Sequence, residues 1–548
     1  MGISNYGNLY FLMNNSGNSS PSLRDRNQSG FFFRVNHSLF TLSLLLVFLS
    51  MRSSDPQPRK MTEKYFPDVF QIEPVTPALK KEKGYTRYDE MMKFLLELQQ
   101  FDPHLVEISF LGKSHQGKPI PYVRIHRKKI HTDPGLQPPI EVWMQGGLHG
   151  DEPASTEGLL YLLYQCVHSW DQLYSKADLA LNVVPMVNPD GYEVQVRENA
   201  QGLDLNRDQT KLMATESIPL KRHMARIRPH VAVDFHEYRP FRRDYVHMGA
   251  FGVCGAYDVM LLNSTHPNLP QSSMDFRESK FIEPLRNELD RMSITHHDYF
   301  TPEESNGKTV FRIGSDNARS SASNFALQGM ISTLVEVRGV GLGRTSLRRR
   351  LYTTYLVAHT FLNQANRHAA DLRVHRENLI IPDSLAIKSK RLLRNDTLTF
   401  LDIEQNAFVR VPVKLDDARV QQVQLRRKSP QAYAIPKSQS KILERLFAFG
   451  LQGDTIPAGT RMDVETYTSG DVVLDPIPYE KQRIQQFSIQ TKNTSLMSSE
   501  PWVVFSMHQP RSLIIPELLE PDAPNSLFRF SVVGVAPNTQ LPLYRIVK

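Results

Sequence analysis

Two cysteines in 548 residues, Cys166 and Cys254, exclude a disulfide framework as the organising principle of this chain. A single bridge between them is left open, although Cys166 lies on an apolar helical pattern that suits a buried thiol. An apolar run of the ~18–20 residues needed for a membrane-crossing helix is also missing. The segment SLFTLSLLLVFLS offers only Leu39 to Leu49. Clustered basic charge is scarce as well. The net charge is +8, but Lys and Arg are spread along the chain, and Arg348, Arg349 and Arg350 form the tight triplet. A nucleic-acid partner is therefore not expected, because such binding needs a basic face. The triplet is expected to be a solvated helix end. No repeat of solenoid or propeller period is visible.

What is present describes a globular protein with a leader. Apolar content of 40% and charged content of 22% are ordinary. The length allows two or three domains at about 100–200 residues each. Residues 1–30 are rich in Asn, Ser and Gly, which suits disorder. Arg24, Arg26 and Arg34 then precede the Leu39 to Leu49 run, the order of a signal peptide. FLSMRSSDP offers no small-x-small cleavage site, so an uncleaved anchor is the alternative, and a later start at Met13 is a third reading. Export, periplasmic or secreted, is the expectation.

Three segments follow from this pattern. Residues 1–60 are the disordered N-terminus with its signal peptide or anchor. Residues 61–377 alternate apolar strands with amphipathic helices, the signature of an α/β domain. The strands are IEVWMQ, LALNVVPMV, HVAVDF and ISTLVEV. The helices include YDEMMKFLLELQQF, ASTEGLLYLLYQCVHSW, PLKRHMARIR and a long one from about Ser346 to about Arg373. The expected fold is a mixed, largely parallel sheet flanked by helices. Residues 378–548 carry short alternating runs punctuated by Pro and Gly, among them TLTFLDI, AFVRVPVKL and LFRFSVVGV. They predict a smaller β-rich domain, interrupted by a helix at SKILERLFAFG with Ser440 as N-cap and Gly450 as its stop.

The chemistry gathers where strands end. MQGGLHGDEPAS places His149 and Glu152 three residues apart at a strand-to-helix turn, and both residue types are zinc ligands. His236, directly after an apolar strand, is a third candidate ligand, because sites in open α/β sheets form at the carboxyl ends of strands. His296 and His297 lack strand context and are expected to be structural or exposed. VPMVNPDGYEVQVRENAQGLDLNRD brings Arg197, Asp204, Asn206 and Arg207 into one irregular segment, where guanidinium groups could hold a carboxylate. Salt bridges that merely pin the loop are the bland alternative. Glu336 sits near the end of the apolar strand ISTLVEV. A carboxylate there is costly unless paired or used. It is either an ion-pair partner of Arg338, which shares its strand face, or a general base.

Taken together, His149-x-x-Glu152, Asn188-Pro-Asp-Gly191, Asp204-Leu-Asn206-Arg207, His236 and Glu336 resemble the zinc metallocarboxypeptidase family of the carboxypeptidase A type, over roughly residues 75–370. The likeness to the digestive members is remote, and this chain would add a C-terminal β-rich domain. The resemblance implies that His149, Glu152 and His236 hold one zinc ion and that Glu336 is the general base. It further implies that Arg197 stabilises the oxyanion, that Asn206 and Arg207 clamp the substrate carboxylate, and that Asp204 orients a ligand histidine. The substrate would be a peptide with a free C-terminus. The long interval from His236 to Glu336 implies an insertion at about 249–310. The capping tyrosine of the family has no matching context here; Tyr299 is a candidate. GGLHGDEP also suits amidohydrolases of N-acyl amino acids, of the aspartoacylase and succinylglutamate desuccinylase type, and a non-catalytic carboxylate-binding module is a third reading. Arg239, Arg242 and Arg243 offer either an acidic-substrate site or a solvated basic loop.

Overall fold

The structure is a computed structural model that describes residues 57–68, 72–127, 137–250, 252–305, 308–377 and 380–547. The Leu39 to Leu49 run and nearly all of the 1–60 segment lie outside these residues. Among the described residues no helix is long and apolar enough to cross a membrane. Residues Asp55–Lys548 form one compact unit.

An eight-stranded sheet organises the first part. Its strands are β1 (Val106–Lys113), β2 (Pro119–Ile125), β3 (Ile140–Gln145), β4 (Leu179–Val184), β5 (Val231–Tyr238), β7 (Val259–Leu262), β8 (His296–Asp298) and β11 (Ile331–Arg338), with β6 (Val253–Gly255), β9 (Phe300–Ser305) and β10 (Lys308–Ile313) pairing elsewhere. The order is β1-β2-β4-β3-β5-β11-β7-β8. The central block β4-β3-β5-β11 is parallel, β1 and β2 run antiparallel to each other and β2 to β4, and β7 is antiparallel to β11 but parallel to β8. Strand β5 is buried along its whole length, as a central parallel strand covered on both faces must be.

The alternation along β5 assigns its faces. Val231, Val233 and Phe235 join the core beneath the helices Pro153–Leu173 and Leu347–Arg367. Ala232 faces the other layer with Trp143, Val184 and Phe325, near the helix Ser217–Ile227. Asp234 and His236 follow Ala232 at period two, so they project from that second face. The two long helices approach closely at Gly158, where a Cβ would overlap the Thr354 side chain.

The later chain builds two further sheets from β12 (Ser384–Asp402), β13 (Ala407–Lys428), β14 (Ala432–Pro436), β15 (Asp454–Ile456), β16 (Arg461–Leu474), β17 (Gln485–Met497), β18 (Trp502–Ser506) and β19 (Gln540–Ile546). One sheet runs β6-β12-β13-β10-β9 and the other β15-β18-β14-β19-β16-β17. The first of these takes strands from both sides of residue 378. The stretch 249–310, expected as an insertion, contributes β6 to its outer edge and β9 to the opposite one.

Several local expectations change. The runs at 397–403 and 407–415 belong to strands of 19 and 22 residues, longer than their apolar cores because the polar remainder is carried in an antiparallel ribbon. LFRFSVVGV is not a strand. Its apolar residues are buried except Val533, which is half-buried, but the Gln485 side chain takes the place of a ladder, donating to the carbonyls of Phe528 and Val533 and accepting from Val535 N. The long helix stops at Arg367 and a second spans Ala369–Glu377. The later helix begins at Ser440 itself, with Gln439 as N-cap, and Gly450 follows it at φ +75°. Cys166 and Cys254 are both free and buried. The arginine triplet is not a solvated helix end. Only Arg348 is exposed, whereas Arg349 pairs with Asp258 and Arg350 with Glu237 in the interior.

Candidate metal centre

Each chemical group is delivered by the end of a parallel strand. After β3 the chain turns at Gly146 and Gly147, the latter at φ +59°, a conformation that glycine adopts without Cβ strain. This turn presents His149 and then Glu152, the N-cap of the helix Pro153–Leu173. After β4 comes Asn188-Pro-Asp-Gly191. Asn188 Oδ1 accepts from Gly191 N (3.0 Å), and Asn188 N donates to the Gly147 carbonyl (2.9 Å), so this turn braces the histidine loop. β5 carries His236, and β11 carries Glu336 directly beside it in parallel register.

These side chains converge. His149, Glu152 and His236 are all buried, and each offers a ligand atom within 4.8 Å of the others. Glu152 Oε1 lies 2.8 Å from His149 Nδ1, and Glu152 Oε2 lies 2.8 Å from His236 Nδ1. The two Nδ1 atoms are 3.0 Å apart. The opposite nitrogen of each ring is held by a carboxylate: His149 Nε2 by Asp204 Oδ1 at 3.0 Å, and His236 Nε2 by Asp234 Oδ2 at 3.0 Å. A carboxylate behind each ring fixes its tautomer with the proton on Nε2 and the Nδ1 lone pair facing inward. Two imidazoles and one carboxylate arranged in this way fit a catalytic zinc ion. His296 and His297 stand apart, against Asp290 and Tyr257 respectively.

The charges agree with this fit. Burial opposes ionisation of Glu152, yet His149 and His236 outweigh it and hold the carboxyl far below its usual range. Burial also opposes protonation of His236, but Asp234 and Glu152 lift it well above the ordinary imidazole value, so without a metal the ring holds a second proton, which a cation at the centre would displace. Glu336 is lifted to about 7, first by burial and then by the negative charge of Glu152. It does not pair with Arg338, which turns instead to Gln57 Oε1 and the Gly255 carbonyl and stacks on Phe66.

The irregular segment wraps the same point. Arg197 donates through Nε (3.0 Å) and Nη2 (2.9 Å) to Asp204 Oδ2, and its Nη1 approaches Glu152 Oε1 at 3.3 Å. Asp204 therefore touches both His149 and Arg197, and it also accepts from Asn206 N at 2.8 Å. Asn206 Oδ1 accepts from Ser321 N at 2.8 Å, and Arg207 Nη1 donates to the Asn206 carbonyl at 3.0 Å. Tyr299 lies half-buried between β8 and β9, where burial, and after it the negative charge of Glu336, pushes its phenol above the usual range. Arg242 is paired with Asp244.

One support, Asp234, was not identified in the sequence, although it had a signal: it stands two residues before His236 on a strand, hence on the same face. Glu237, next to His236, reads in the sequence as extra charge for the site, but its carboxylate does not face the site. It lies on the opposite face, where Oε2 accepts from Ala154 N (2.9 Å) and Oε1 from Arg350 Nε (2.9 Å). Its own backbone N–H donates to Glu152 Oε2 at 3.1 Å. Glu237 thus joins the strand bearing His236 to the helix start bearing Glu152, and a Cβ on Gly339 would collide with it.

Residues 91–242 match the zinc carboxypeptidase family model. The chain is 25% identical over 486 residues to carboxypeptidase 2 of Trichophyton equinum, covering 84% of this chain and 87% of that protein. It is 28% identical over 141 residues to the human carboxypeptidase N catalytic chain, covering 22% of this chain and 30% of that one. Among solved structures it is similar to carboxypeptidase A from Helicoverpa armigera, with a TM-score of 0.39 at 18% identity over 61% of this chain and 81% of that chain. Residues 91–242 thus match a zinc carboxypeptidase domain, and the chain is similar to the carboxypeptidase 2 proteins over most of its length.

Proposed function

We propose that this protein removes C-terminal residues from peptides, using one zinc ion held by His149, Glu152 and His236. The observation that carries this reading is the convergence of those three side chains, with Glu336 beside them and an arginine-lined segment on the rim. When bound, zinc would activate a water molecule and polarise the scissile carbonyl. Glu336 is the general base: its carboxylate takes a proton from water and returns it to the leaving nitrogen. Arg197, anchored on Asp204, donates toward the developing oxyanion. Asp204 holds His149 and Asp234 holds His236 in the inward-facing tautomer. Asn206 and Arg207 clamp the terminal carboxylate of the substrate, and Tyr299 caps it.

Residues 61–377 supply the catalytic machinery in this reading, and 378–548 form the accessory β-rich region. The Arg-rich lead into Leu39 to Leu49 supports export.

The test compares a peptide bearing a free C-terminus with the same peptide amidated. The free acid should turn over at least about 100-fold faster, because the cationic clamp then has its partner. Equal cleavage of the two would remove the exopeptidase reading and favour an amidohydrolase that ignores the terminal carboxylate.

A further inference from the structure

The hairpin of β16 and β17 ends in a two-residue turn that reaches the clamp segment from the far end of the chain. Tyr479 N donates to the Gln482 carbonyl (2.8 Å), and Gln482 N to the Tyr479 carbonyl (2.9 Å). The residues between them, Glu480 and Lys481, hold φ values of 50° and 61°. Such a turn normally selects Asn-Gly or glycine at these positions, so two long side chains there are strained. Strain of this kind persists where the surroundings over-determine it, and it marks functional positions.

The surroundings here are specific. The Glu480 carboxylate accepts from Lys211 Nζ at 2.6 Å and forms an ion pair with Arg319 Nη1. Its Oε1 lies 3.8 Å from Arg207 Nε. One carboxylate therefore faces three cations, of which the Lys211 side chain is 4% exposed and that of Arg319 12%. Lys481 Nζ donates to the Gln201 carbonyl (3.0 Å), between Arg197 and Asp204 in sequence. Lys211 lies over the Phe530 ring and Arg319 over that of Tyr479, so both cations are also held by aromatic faces of the later chain. Arg319 in turn leads to Ser321, whose N–H fixes Asn206, and the Arg319 carbonyl accepts from Gln209 N at 3.4 Å. Glu480 thereby closes a ring that runs from Arg207 through Lys211 and Arg319 to Asn206.

We propose that Glu480 is a positioning residue for substrate-carboxylate recognition, a strap from the C-terminal sheet that sets the orientation of Asn206 and Arg207. The proposal rests on the reading of those two residues as the carboxylate clamp. Glu480 engages Arg207 at its Nε edge, and the Asn206 carbonyl engages Nη1, so the Nη2 end of the fork remains for a ligand carboxylate. Without the Glu480 charge, three cations lose their shared partner and repel one another, and the guanidinium loses its fixed pose.

The experiment uses the zinc-loaded full chain carrying Glu336→Gln, in which turnover is slowed about 10²–10⁴-fold so that binding can be read. Titration calorimetry measures N-acylated dipeptides with apolar, basic and acidic C-terminal residues, each as free acid and as amide. Adding Glu480→Gln should weaken the free acids about tenfold or more, leave the amides within about twofold, and leave zinc content unchanged. Glu480→Asp, which keeps the charge and shortens the reach, should fall between the two, and it serves as the readout if Glu480→Gln does not fold. A parent protein that binds acids and amides alike would remove the clamp reading itself. A parent that prefers the acids, with that preference intact or stronger in both Glu480 variants, would overturn the positioning role alone and make Glu480 a counter-ion or a plug.

Discussion

Glu152 and Glu336 are the same residue type in one site, and their surroundings drive them in opposite directions. Two flanking imidazoles hold the Glu152 carboxyl ionised despite its burial, whereas burial and the Glu152 charge lift Glu336 to about 7. Carboxyl groups pushed apart in this way suit the distinct roles proposed for them, ligand for one and proton carrier for the other. The sign of the pH effect follows. Only ionised Glu336 can take a proton, so kcat/KM should rise with pH through the pKa of this group. A dication in the site favours the ionised form, so that acid limb should centre below 7. Glu336→Gln should retain zinc, lose about 10²–10⁴-fold in kcat, and lose the limb. A normal rate, or an unchanged limb on the residual activity, would sink the general-base assignment. At this scale the sequence was most legible for residues that follow apolar strands, because a strand end fixes where the next side chain lies. His149, Glu152, His236 and Glu336 are of that kind. Glu480 was illegible, because nothing local to the β16–β17 turn records that it meets Arg207.

Between elements, close backbone approach does what residue chemistry alone cannot. The helices Pro153–Leu173 and Leu347–Arg367 pack at Gly158 against Thr354, and Arg350 of the second helix reaches Glu237 behind the metal ligands. A side chain at 158 would separate the helices and loosen that contact. Gly158→Val should destabilise the fold by about 2–3 kcal/mol, as overpacking of a tight core contact does. Thermal unfolding checks this, and an unchanged melting temperature would show that the helix contact yields freely. Periodicity located β3, β4, β5, β11 and the helices at 88–101, 153–173, 217–227 and 347–367, because each has one buried face or two, but it passed over the short elements between 253 and 327, among them β8 with His296 and His297. It failed at LFRFSVVGV, where alternating burial is real but the backbone partner is the Gln485 side chain. It also shortened β12 and β13, since a two-stranded ribbon needs no apolar face along its full length.

At the scale of the whole molecule, the catalytic and β-rich parts are interlocked. Strands β6 and β10 pair with β12 and β13, and the β16–β17 turn reaches the clamp segment. Composition reports a change of character near residue 378, but it cannot report that sheets are shared across it. The same limit explains the arginine triplet: three adjacent cations look solvated until long-range partners, Asp258 and Glu237, are brought in by folding. The sheet edge that gathers four strand ends remains the feature on which the functional account depends. Metal content of the purified protein tests it most directly. The account predicts one zinc ion per chain, removed by a chelator with loss of activity and restored on re-addition. The ion should be lost or weakened by at least about 100-fold in His149→Ala and His236→Ala, while both variants keep their fold. A protein that hydrolyses peptides without bound metal, or that binds zinc equally well after either substitution, would contradict it.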